Sequence, residues 1–372
     1  MEPNGARIGL SLSGGGIRAT IFHLGVLKYL AEAGLFDQIV SLSSVSGASL
    51  CVGAIIAAND NKWPGGKVFL RSVLPSVREM ILHNDIQKSA LIRLAFFPRY
   101  WWNRVELIAK MLEKKWNVRG TLQDMPEYPY WEINCTTFET GKNFRIRRDF
   151  MGDYSVGYTQ KPGLPISHMM AASAGFPVLI GPYILKTQDM RWTKDKWGRH
   201  DEIPVDSMYS LWDGGVYDNL GLEALYKIGI GLDSEIDFLM VSNASASISR
   251  KERRGNLSVS NMMRLMDITT SQIETLRTRE VFASVISQGM GMYFKIGADA
   301  EKIAQGFGVS RNQAGALINE CLSPDDARLC SEHPTTLRTP SQADFDRILR
   351  HGYENAKCVH IFGEISRKPV FS

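Results

Sequence analysis

Apolar residues in the first sixty positions fall into short blocks whose period switches back and forth. Ile8 to Leu12 is a largely apolar run of strand length, and Ile39 to Val45 is a second. Each is followed by a small-residue turn and then by a helical pattern. Ile17, Ile21, Leu24, Leu27 and Leu30 recur at helical spacing until Gly34 stops them, and Gly47 to Ala58 forms a second, more apolar helix. Repeated strand–turn–helix units predict a parallel sheet covered by helices. Further strands are expected over Trp131 to Thr137 and Ile236 to Val241, and an irregular surface excursion over Asp189 to Ser207. From Asn261 to Ile286 the chain is polar with a helical apolar period, and the rest mixes short helices and loops. The pattern predicts an α/β domain over 5–245 and a mostly helical extension over 246–372, either separate or packed as part of the same domain. The boundary is expected between 245 and 255.

Composition narrows the class. With 372 residues, 44% hydrophobic and 22% charged, the chain has ordinary globular make-up and ample length for a core. A formal net charge of +4 does not point to nucleic acid, although it suits an anionic membrane surface. The five cysteines form no CxxC pair, which argues against a disulfide framework or a zinc site and for reduced thiols inside a cell. The N-terminus lacks a charged region followed by an apolar one, so no signal peptide is expected. The longest apolar run, Gly47 to Ala58, is well short of the roughly 20 residues of a spanning helix. A cytoplasmic protein, at most peripheral to the inner face of a membrane, is the expectation.

Three short motifs carry chemistry. Ser13-Gly14-Gly15-Gly16-Ile17-Arg18 joins the first strand to the first helix. Its glycines let amides converge at a helix N-terminus, where they suit a phosphate or an oxyanion. No Gly-Lys-Ser/Thr follows, so a P-loop is excluded, and the dinucleotide pattern lacks its third glycine. The plain alternative is a tight turn. Ser44-Val45-Ser46-Gly47-Ala48 lies at the end of the second strand, where a nucleophile elbow would sit, although a serine there also serves as a helix cap. Asp213 precedes Gly214-Gly215 at the end of an apolar run. It is a turn residue or, in the absence of a comparably placed histidine, a base for Ser46.

In that order these motifs resemble the patatin-like phospholipases of bacterial type, whose signature is a GGGxR/K loop, a GxSxG turn and an Asp-Gly-Gly or Asp-Gly-Ala motif. The matches are Gly14-Gly15-Gly16-Ile17-Arg18, Ser46 and Asp213-Gly214-Gly215. Ala171 to Pro177, Asp218-Asn219-Leu220-Gly221 and the tail from His333 to Tyr353 also look like family segments. Ser44 and Ala48 stand where the motif has glycines. The cytosolic phospholipase A2 branch, similar in fold, also tolerates a non-glycine after its nucleophile turn.

The resemblance implies a three-layer α/β/α fold with a mainly parallel central sheet, and hydrolysis of ester-linked acyl chains of phospholipids by a Ser–Asp dyad. Ser46 would form an acyl-enzyme and Asp213 would act as base. The amides of Gly14, Gly15 and Gly16 would form the oxyanion hole, and Arg18 would support that loop. Neither metal nor cofactor is implied. The implied partner is a phospholipid membrane surface. Residues 91 to 119, where Phe96, Phe97, Tyr100, Trp101, Trp102 and Trp116 lie among basic residues, are the expected contact. Other readings are a thioesterase or neutral-lipid lipase on the same dyad, an α/β-hydrolase triad using a late histidine such as His351 or His360, and a non-catalytic lipid-binding module.

Overall fold

The strand–turn–helix blocks fold as their periodicity predicts. In the computed structural model, which describes residues 5–177, 179–246 and 259–367, the first units are β1 (Ile8–Leu12), α1 (Gly16–Glu32), β2 (Ile39–Val45) and α2 (Gly47–Ala57). Downstream lie α3 (Ile86–Phe96), α4 (Arg104–Lys115) and β3 (Tyr130–Thr137). A meander follows, β4 (Asn143–Ile146), β5 (Phe150–Asp153) and β6 (Gly157–Gln160), and then α5 (Ile166–Ser173). Next are β7 (Tyr183–Lys186), β8 (Trp192–Thr193), β9 (Asp201–Glu202), β10 (Met208–Asp213) and β11 (Phe238–Asn243). The final elements used below are α6 (Val259–Val281), β12 (Gly291–Lys295) and α7 (Gln342–Arg367). Most of the expected boundary, 247–255, lies outside the described residues.

Twelve strands form one sheet in the order β12-β11-β1-β2-β3-β4-β5-β6-β8-β9, with β10 added to β3 and β7 to β10. The core from β12 to β3 is parallel and everything beyond β3 is antiparallel. A parallel sheet must be covered on both faces, and alternation along β11 shows that it is. Phe238 and Met240 join the main core beneath α1, α2 and α7, whereas Leu239 and Val241 face a second cluster with Leu220, Leu222, Tyr226 and Val281. The result is a three-layer sandwich. α7 lies along α1, with His351 against Phe22 and with Tyr353 and His360 against Tyr29.

One feature of register positions the site. β2 runs beside β3 as far as the Val45–Asn134 pair. β4 occupies the other side of β3, so β10, which pairs Asp213 with Cys135, must take up the β2 side one residue further on. β2 and β10 therefore end head to head, and the residue after Val45 faces the last residue of β10.

Candidate active site

Ser46 is held in the left-handed region, at φ 53° and ψ −116°, between β2 and α2. A non-glycine residue there carries about 1–3 kcal/mol of strain, sustained by the strand and helix on either side. Its amide donates to Ser173 Oγ (3.0 Å). Ser173 belongs to a buried relay that gives the serine at the first glycine position of GxSxG a structural role. The Trp131 indole donates to Ser44 Oγ (2.8 Å), Ser44 pairs with Ser49 (2.9 Å), Ser49 with Ser173 (3.0 Å), and Ser173 donates to the Asn134 carbonyl (2.8 Å). Because the indole can only donate and the carbonyl only accept, the protons run one way, from Ser44 through Ser49 to Ser173. A glycine at 44 would remove the first link.

The Asp213 carboxylate lies near enough to the Ser46 hydroxyl for that group to favour its charged form. Its Oδ1 also accepts the Gly215 amide (2.8 Å), its own amide donates to the Gly175 carbonyl (3.2 Å), and its carbonyl accepts from Thr136 (2.9 Å). The residue is 4% exposed. Burial raises its pKa to about 6, against the opposing pull of the Gly215 amide and the Ser46 hydroxyl. Asp213 is thus ionised at neutral pH yet more basic than a surface carboxylate.

The glycine loop abuts the elbow. A side chain on Gly47 would sit 2.2 Å from the Gly16 carbonyl oxygen, so only glycine lets the two loops meet. Gly15 and Gly16 turn at φ 145° and 62°, in the region that favours glycine. Of the three amides expected to line an oxyanion hole, that of Gly14 is already engaged, donating to the Asn219 carbonyl at 3.0 Å. Among the described residues the amides of Gly15 and Gly16 have no partner, which leaves those two for an oxyanion. Asn219 thereby joins the Asp213 turn to the glycine loop, and its Nδ2 donates to Ser245 (2.8 Å).

Arg18 lies beneath the loop, buried, donating from Nε to the Ala244 carbonyl (3.2 Å) and from Nη1 to that of His333 (2.6 Å). Burial lowers its pKa to about 10, so it stays charged at neutral pH. His23 is a second support. Its Nε2 donates to the Ser13 carbonyl (2.9 Å), which leaves Nδ1 to accept from Ser242 (2.8 Å), and burial lowers its pKa to about 4. The late histidines that a triad would need are committed elsewhere. His351 Nε2 accepts the Gly297 amide (2.8 Å), and His360 Nδ1 meets the Tyr29 hydroxyl (2.8 Å).

The sequence motifs thus converge on one edge of the sheet, together with two residues whose roles they did not disclose, Ser173 and Asn219. Both lie within segments that looked family-like, but only their long-range partners reveal what they do.

A family model described as patatin-like phospholipase matches residues 10–226. No curated protein sequence matches the chain. Among solved structures, human GIVD cytosolic phospholipase A2 aligns with 97% of this chain and 59% of its own, at a TM-score of 0.55 and 15% identity. The same human enzyme in complex with methyl gamma-linolenyl fluorophosphonate aligns with 98% of this chain and 59% of its own, at 0.52 and 14%. This chain therefore spans 59% of the length of those structures, and at such identity the likeness is one of fold.

Proposed function

The chain belongs to the patatin-like phospholipase family, and from that premise we propose that it hydrolyses ester-linked acyl chains of phospholipids through Ser46 and Asp213. One observation supports the reading: β2 and β10 end head to head, which sets a serine on a strained strand-to-helix turn beside a buried carboxylate of raised basicity.

Ser46 Oγ attacks the ester carbonyl carbon while its proton passes to Asp213. The carbonyl oxygen takes the negative charge and is met by the amides of Gly15 and Gly16 at the N-terminus of α1. When the carbon–oxygen bond to the lysophospholipid breaks, the leaving oxygen takes the proton back from Asp213, and the acyl chain stays on Ser46. Asp213 then accepts a proton from water, hydroxide attacks the acyl carbon, and Ser46 leaves with that proton. A carboxylate with a pKa of about 6 suits both halves of the cycle at neutral pH. Arg18 and His23 hold the loop in place and touch no reacting atom.

The substrate surface in this reading is the inner face of a cell membrane. Among the described residues no helix is long and apolar enough to cross one, so contact would be peripheral. The test pairs a fluorophosphonate probe with lipid mass spectrometry. The wild type should label at Ser46 and release fatty acid from mixed phospholipids. Ser46→Ala and Asp213→Asn should each lower turnover at least about 10⁴-fold, and the double variant should be no worse than either single one. Substantial turnover by folded Ser46→Ala would refute the assignment.

A further inference from the structure

Only part of the aromatic and basic stretch over 91 to 119 is exposed. Tyr100 and Trp116 are buried, and the apolar face of α4, with Val105, Ile108, Met111 and Leu112, packs into the core. The corner between α3 and α4 is different. Phe96 is 75% exposed and Trp102 is 95% exposed, and Leu91, Ile92, Phe97 and Trp101 are also exposed. The corner is ordered by its own contacts. The Trp101 indole donates to the Leu94 carbonyl (2.9 Å), and the Arg99 guanidinium lies over the Tyr100 ring (4.7 Å).

This corner stands beside the dyad. α4 runs antiparallel to α5: near one end Ser167 donates to Glu113 (2.7 Å), and at the other Arg104 donates to the Leu179 carbonyl (3.2 Å), just beyond α5. That second end is where Ser173 holds the Ser46 amide and Gly175 accepts the Asp213 amide. Lys114 and Lys115 lie at the opposite end of α4, about 15 Å away at 1.5 Å per residue.

A second apolar projection flanks the site on its other side. Glu274 of α6 accepts from Asn243 (2.6 Å) and Lys295 (3.1 Å), which close β11 and β12, so the residues before it extend past the strand ends. Met262, Leu265 and Ile268 are exposed there, and Met262 stands about 18 Å beyond Glu274 along the helix. In the sheet, β2 lies between β11–β12 and β3, so Ser46 sits between the two projections.

Basic side chains surround the aromatic corner. Lys88, Arg99 and Arg104 are exposed and Arg93 is half-buried. Of the nearby acids, Glu106 is taken up by Lys110 and Asp85 caps α3. Two separated projections with a cationic border do not form a groove for a peptide. They suit a broad surface that accepts rings at headgroup depth and offers anions around them.

We propose that the α3–α4 corner and the exposed N-terminal half of α6 form a docking face that seats the protein on an anionic phospholipid bilayer with the dyad turned toward the lipid. The proposal rests on the phospholipid reading above for its choice of partner.

The test measures binding apart from catalysis. In the Ser46→Ala protein, co-sedimentation is compared on phosphatidylglycerol-containing vesicles and on pure phosphatidylcholine. We expect preference for the former, and about tenfold or greater loss of binding for both Phe96→Ser/Trp101→Ser/Trp102→Ser and Met262→Ser/Leu265→Ser. With Ser46 restored, both variants should lose vesicle-lipid turnover while keeping their rate on a soluble short-chain ester, which shows that they fold. Undiminished vesicle binding by the two variants overturns the docking face. So does a wild-type dimer that the variants convert to monomer, since the face would then join two copies. Failure of Ser46 to label with fluorophosphonate while vesicle binding persists overturns the catalytic reading instead.

Discussion

The buried Asp213 carboxylate ties activity and stability to one titration. Its pKa rises from an ordinary 3.8 to about 6 on folding, chiefly through burial. At 1.36 kcal/mol per pKa unit, ionising it in the native state costs about 3 kcal/mol relative to the unfolded chain. The folded state therefore holds this proton more tightly. The associated stability is fully present below about pH 3.8 and is lost as pH rises through about 6. Asp213→Asn carries no charge to bury, and it should be more stable than the wild type at pH 7.5 by about 3 kcal/mol, or about 4 °C in Tm for a chain of this length. The gain should shrink as pH falls from 6 and vanish below about pH 3.8, measured by denaturant unfolding across that range. In the proposed mechanism the same group sets the acid limb of catalysis. Wild-type kcat/KM should fall with unit slope below about pH 6, to about a tenth of its plateau at pH 5. An Asp213→Asn protein no more stable than the wild type at pH 7.5, or equally stabilised at pH 3.5, would refute the argument.

Other outcomes follow from contacts around the dyad. Gly47→Ala sets a methyl group 2.2 Å from the Gly16 carbonyl oxygen, and it should abolish turnover and destabilise the fold by about 2 kcal/mol or more in chemical denaturation. Ser173→Ala leaves the Ser46 amide and the Asn134 carbonyl without their partner; it should lower stability by about 1–3 kcal/mol and reduce kcat more than it changes KM, read from steady-state kinetics. His360→Gln, which alters a side chain joined to Tyr29, should keep wild-type kcat/KM, and a loss of several orders of magnitude would revive the histidine triad.

The first two strand–turn–helix units were legible almost to the residue because each apolar run is short, continuous and closed by glycine or serine. The strand expected over Ile236 to Val241 lies at Phe238–Asn243 instead. Asp237 is bound to the Arg7 guanidinium ahead of the ladder, while Ile236 packs into the second core cluster. The meander β4–β6 and strand β12 went unseen, because four- and five-residue strands rich in glycine, charge or aromatic groups have no clear period. The segment over 189 to 207 is irregular apart from the two-residue strands β8 and β9. Ser46 and Asp213, the proposed dyad, stand out as motifs in the sequence. The relay through Ser173 does not, since it joins positions 127 apart in sequence, nor does the capture of the Gly14 amide by Asn219. In α4 the apolar period was real but served the core, so the sequence could not separate buried Trp116 from exposed Trp102.

Arg18 bears on where the protein can be cut. The stretch that carries the family motifs, 10–226, stops before both carbonyls this guanidinium holds, those of Ala244 and His333, and before the strand that pairs with β1. The Ile17 amide likewise donates to the Thr336 carbonyl at 2.8 Å. A fragment trimmed to the motifs would keep Ser46, Asp213 and the glycine loop yet leave a buried cation and a sheet edge uncovered. Such a fragment is an aggregation hazard rather than a minimal enzyme. The glycine loop is held by a tail some three hundred positions away, and a graft of this candidate site onto another scaffold must carry both.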